Sequence, residues 1–158
     1  MYYQWMLLLH ILSAFALLGT HGTSMVVLYR IRGERDRRKI VDLISLSGEM
    51  AIPMYVSIGA IVLTGILLGL KLKVFSHWWI WVAIGLLVLT IALMTAVAKP
   101  YFRRVKEACE VRPSGVPRVS DEELGQILAS PRAHVITLIG AVGLLAIVYL
   151  MVFQPGAA

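Results

Sequence analysis

Four long apolar blocks, separated by charged connectors, dominate the chain. Positions 5–29 run for 25 residues without Lys, Arg, Asp or Glu, and positions 50–70, 78–98 and 133–153 run for 21 each. The hydrocarbon core of a bilayer is about 30 Å thick and takes about 20 helical residues to cross. Each block therefore fits one crossing. In hydrocarbon the backbone must bond to itself, so uncharged runs of this length are helices. No apolar run remains for a fifth. The pattern predicts an all-α integral membrane protein, a four-helix bundle forming a single transmembrane domain over 1–158.

The connectors differ in kind. Loop one (30–49) carries six Lys or Arg, loop two (71–77) two, and loop three (99–132) seven. An excess of Lys and Arg marks the cytoplasmic side. Loops one and three are thus expected inside, with the N- and C-termini outside. Aromatic residues agree, with Tyr2, Tyr3, Trp5, Trp78 and Trp79 at the outer interface and Tyr29, Tyr101 and Phe102 at the inner one. In loop one, Ile40, Leu43 and Ile44 repeat at helical spacing behind the charges, which predicts an amphipathic helix leading into the second span. Pro53 lacks a donor and crowds the carbonyl of Glu49, so a kink is expected between them. In loop three, Pro113, Gly115 and Pro117 read as a turn. Ser120-Asp-Glu-Glu123 has capping-box spacing and predicts a short helix from Asp121 to Leu128. Ser130-Pro131 supplies an N-cap and a first-turn proline for the fourth span.

Composition supports the membrane reading. Apolar residues are 59% and charged residues 15% of 158, against about 25% charged in soluble domains, and mean hydropathy is +0.81. The net charge of +6 would raise nucleic acid as a partner in a soluble chain. Here the charges flank the spans and read as topology and headgroup contacts, so no nucleic-acid partner is expected. The single Cys109 excludes an intrachain disulfide and any cysteine metal motif, and suits a reducing side. No Lys or Arg precedes Arg30 and no small-residue cleavage site follows a short apolar core, so the first helix reads as retained. Nothing resembles a nucleophile with a paired base or a phosphate loop, and no reaction is assigned.

Ionisable groups inside a span need a reason. The candidates are His10 and His21 in the first span, Glu49 opening the second, and His77 and His134 at the starts of the third and fourth. His10 and His21 are eleven residues apart, which is about three turns, so they share a face at depths about 16 Å apart. Ser13, Ala14, Leu17, Ser24 and Met25 lie on the same stripe. A face of His and small polar residues points into a bundle. Topology places His10 with His77 in the outer half and His21 with His134 in the inner half. Such pairs are what haem b takes from facing helices, although both are mismatched in depth. The competing reading is that each imidazole only bonds a neighbouring helix, with no cofactor at all. His10, His21 and Met25 form the candidate metal set, because imidazole and thioether one turn apart suit Cu(I). Glu49 either favours the helix dipole or carries a proton with His21. Gly65-x-x-x-Gly69 permits close helix approach, within the bundle or at a homo-oligomer seam. Loop three offers a dock for a cytoplasmic protein partner.

The segment from Trp5 through Leu9-His10 to Ala14, then Gly19-Thr-His21-Gly22, resembles the first helix of small bacterial four-helix membrane proteins of unknown function. Thr64-Gly65, Trp78-Trp79-Ile-Trp81 and Tyr101-Phe-Arg-Arg104 extend that resemblance over most of the chain. This group is loosely similar to the CopD copper-resistance proteins and the HemJ-type protoporphyrinogen oxidases. The similarity to those two covers little beyond Leu9-His10. It implies haem binding at His10 alone. The rest of the HemJ pattern is missing, as are the Met/His-rich segments of a copper importer.

The expected function is therefore binding of haem b, or another redox ligand, by first-helix histidine in a bacterial inner membrane. The role would be electron transfer or that of a small subunit in a membrane redox complex. The alternatives are a scaffold, transport or assembly module without cofactor, and copper handling.

Overall fold

Each uncharged run forms a helix, and most of these helices outlast their run. The computed structural model describes residues 2–156; Met1, Ala157 and Ala158 lie outside the described residues. Helix α1 is Tyr2–Gly33, α2 Arg37–Glu49, α3 Ala51–Leu72, α4 Trp78–Cys109, α5 Asp121–Leu128 and α6 Arg132–Phe153, with a 3₁₀ turn at Val74–Ser76. Among the described residues there is no strand, only an isolated antiparallel bridge between Val111 and Pro117. Helices α1, α3, α4 and α6 are long and apolar enough to cross a membrane.

Helices α1 and α4 have 32 residues each, about 48 Å. That exceeds the hydrocarbon thickness by several turns. Charge ends the apolar run at Lys99, but it does not end α4, which runs through Pro100 to Cys109. Most local signals act where the sequence puts them, although α6 starts at Arg132 with Pro131, not Ser130, at the N-cap. Asp36 caps α2 by accepting from the Arg38 amide at 2.9 Å. Met50 interrupts α2 and α3 for one residue, next to the carbonyl that Pro53 cannot serve. Ser120 Oγ accepts from the Glu123 amide at 3.1 Å. Only this half of the capping box forms, because no bond returns from the Glu123 carboxylate. Gly115 turns the intervening loop at φ +78°.

The bundle has an uneven core. Helix α1 lies along α3, and α4 along α6, while α3 packs on neither α4 nor α6. The two pairs meet at the end carrying loops one and three. There Val27, Leu28 and Ile31 of α1, Ile40 of α2, Tyr101 and Val105 of α4, Leu124 and Leu128 of α5, and Ile136 of α6 form one buried cluster. At the opposite end a small cluster of Trp79, Ile80, Ala83 and Leu150 joins α4 to α6 alone. The asymmetry follows from solvent. Water drives apolar burial where helices leave the bilayer. Inside it, lipid tails are as apolar as leucine, and association rests on close packing.

Two loop-one arginines that read as topology signals prove structural. Arg37 donates to the Ala108 carbonyl at 2.7 Å, the Val119 carbonyl at 2.8 Å and Asp121 Oδ1 at 2.7 Å. Arg32 donates to the carbonyls of Ser130 at 2.7 Å and Ala129 at 3.3 Å. Both close carbonyls that helix ends leave open, and they tie α1 and α2 to α4, α5 and α6.

Candidate functional site: the first-helix imidazoles

His10 is placed by the α1–α3 pairing. Its Nδ1 lies 2.8 Å from Thr64 Oγ1, and the Thr64 hydroxyl in turn donates to the Ala60 carbonyl at 2.6 Å. A hydroxyl has one proton. With that proton committed to Ala60, the imidazole must donate from Nδ1. The tautomer therefore leaves Nε2 with a bare lone pair. Nε2 has no hydrogen-bond partner among the described residues, and it is not sealed from the surface. Thr64 is 1% exposed, so the anchor is rigid. Gly65 lies beside the ring, where a Cβ would stand 3.4 Å from His10 Cε1, in ordinary van der Waals contact.

His21 turns to a different neighbour. Its ring fills the space left by Gly140 of α6, where a Cβ would collide with Nε2 and stand 2.9 Å from Cε1. Nε2 is buried there without a partner. One turn on, Gly143 gives the same clearance to Thr90 of α4. The pair Gly140-x-x-Gly143 thus lets α6 sit between α1 and α4. These two glycines were missed in the sequence, although their i, i+3 spacing in an apolar helix was a visible signal. Beside His21, Ser47 of α2 donates to Ser24 of α1 at 3.1 Å.

The remaining candidates lie elsewhere. The His134 ring stands 5.8 Å from the Tyr29 ring, with the Tyr29 hydroxyl 3.4 Å from Nδ1, at an exposed position. His134 is six residues before Gly140, about 9 Å along α6. His21 and His134 are therefore offset in depth and do not face each other across a shared ligand position. His77 holds the N-cap position of α4 without a side-chain bond, while its backbone N–H donates to the Val74 carbonyl, and α4 does not pack on α1. The structure thus assembles neither histidine pair, for the reason the depths foreshadowed. Met25 stays one turn from His21 on α1. No group of three or more His, Cys, Asp or Glu side chains gathers for a metal among the described residues. Glu49 is exposed and makes no ion pair among the described residues. A Cβ at Gly69 would clash with the Phe75 ring inside the chain, whereas one at Gly65 would only touch His10.

A family model for predicted integral membrane proteins (DUF2269) matches residues 4–155. The chain belongs to the DUF2269 family. That match covers all four membrane helices of this DUF2269 protein and carries no link to the copper-resistance or oxidase proteins. No curated protein and no solved structure matches it.

Proposed function

We propose that this protein binds b-type haem, or a redox ligand of similar demand, through His10 Nε2. It would serve electron transfer or a membrane redox complex, with loops one and three cytoplasmic in a bacterial inner membrane. The observation that supports it is the chain His10 Nδ1, Thr64 hydroxyl, Ala60 carbonyl. Ligating histidines commonly donate their other ring nitrogen to a fixed acceptor, which sets tautomer and orientation. His10 meets that requirement. His21 does not, because its Nε2 is closed against Gly140. The ligand set reduces to one imidazole from this chain. His77, His134 and Met25 then need no role in the site.

The test is the absorption spectrum of protein extracted from haem-replete membranes, oxidised and then dithionite-reduced. A Soret band is expected, lost in His10→Ala and kept in His21→Ala. Thr64→Val is expected to weaken haem affinity by about 10–100-fold, the usual cost of losing such a support. A colourless wild-type protein, or an unchanged band in His10→Ala, refutes the proposal.

One observation favours a second reading, a scaffold, transport or assembly module without cofactor. The tightest packing is at the loop end, and the two helix pairs leave membrane-facing sides uncovered by each other. That reading predicts a colourless protein that retains a partner through loop three.

A further inference from the structure

A cavity of about 370 Å³ opens at the loop end between α4, α5 and the start of α6, away from both imidazoles. Its polar walls are Tyr101 and Arg104 of α4, Glu123 and Gln126 of α5, and Ser130 and Arg132 at the α5–α6 junction. Two features set it apart from an ordinary surface dent. Neither guanidinium, Arg104 nor Arg132, makes an ion pair or side-chain hydrogen bond among the described residues. The Glu123 carboxylate is equally free, since the capping box is only half made.

The cavity's height in the molecule narrows the ligand. Tyr101 follows the last uncharged residue of the third span by three positions, and Arg132 precedes the fourth span by one. Both stand where a bilayer's headgroups lie. Two guanidiniums suit phosphate oxygens, and a carboxylate beside them suits an amine.

We propose that this cavity binds the headgroup of an aminophospholipid. Its phosphate lies against Arg104 and Arg132, and its ammonium against Glu123. This site is independent of any cofactor at His10.

The test uses delipidated full-length protein in detergent and follows its melting temperature. The probes are short-chain phosphatidylethanolamine, the matching phosphatidylglycerol, the matching diacylglycerol and soluble phosphoethanolamine. A ligand that binds only the folded state raises the melting temperature. Phosphatidylethanolamine is expected to raise it at concentrations where diacylglycerol and phosphoethanolamine do not. Arg104→Gln with Arg132→Gln is expected to weaken its apparent affinity at least tenfold. Arg103→Gln, whose side chain sits by Glu107 instead, is expected to change nothing. Glu123→Gln should erase the preference for ethanolamine over glycerol. An undiminished lipid response in the double arginine variant overturns the proposal. So does an equal response to diacylglycerol, to soluble phosphoethanolamine or to phosphatidylglycerol in the wild type.

Discussion

Replacing Gly140 by alanine tests the packing of the first-helix face. The added Cβ would collide with His21 Nε2 and lie 2.9 Å from Cε1 and 3.7 Å from Cδ2. The imidazole is therefore struck along one edge and has to move as a ring, or α1 and α6 have to part. Overpacking of this kind costs about 1–3 kcal/mol. Alanine also gains up to about 1 kcal/mol over glycine in a helix, so the raw change understates the clash. Gly59→Ala supplies the reference, because nothing lies within 4 Å of a Cβ there. Relative to it, Gly140→Ala should be less stable by about 1–3 kcal/mol, and every 1.4 kcal/mol is tenfold in the folding constant. In a His21→Ala background the obstacle is gone, and Gly140→Ala should match Gly59→Ala. The assay is reversible unfolding in mixed micelles by titration with a denaturing detergent, read by tryptophan fluorescence. A coupling between the two sites below about 0.5 kcal/mol, the level expected of independent positions, would refute the contact.

Arg37→Ala should destabilise the folded protein by about 2–3 kcal/mol, because two part-buried carbonyls lose a charged donor. Asp121→Asn should cost less than about 1 kcal/mol, since that carboxylate is 89% exposed and exposed ion pairs contribute little; both are measured by the same unfolding titration. At the joint between α1 and α2, Glu34 accepts from the amides of Asp36 at 3.0 Å and Arg35 at 2.8 Å. These bonds hold its carboxyl below the usual carboxylate range. Its stabilising effect is complete above the unfolded-state pKa and fades as pH falls through the lower folded value. Amide exchange at Arg35 and Asp36 should therefore rise in that acid window in the wild type and show no such step in Glu34→Gln.

How far the chain could be read depends on which force acted at each position. Spans were legible because charge is excluded from hydrocarbon, and the helices of loops one and three because caps such as Asp36 and Ser120 are local. Helix pairing was not legible. Helices α1 and α6 are apolar on every side, so no hydrophobic stripe identifies the buried face. Periodicity put His10 and His21 on one stripe of α1, yet it could not say that one ring meets Thr64 of α3 and the other Gly140 of α6. Arg32 and Arg37 misled for a related reason, since positive charge beside a span serves topology and carbonyl capping with the same residue type. The cavity at Tyr101 needed three helices that only the fold brings together.

The uneven core also bears on biosynthesis. Each membrane pair is contiguous in the chain, α1 with α3 and then α4 with α6. The first hairpin therefore has its lifelong partner before the third span leaves the ribosome. The junction between hairpins has to wait, because Leu124, Leu128 and Ile136 are needed to complete it. Insertion and final assembly are thereby separated in time, with the finished first half waiting in the bilayer until the last helix arrives both to complete the second half and to clasp the two.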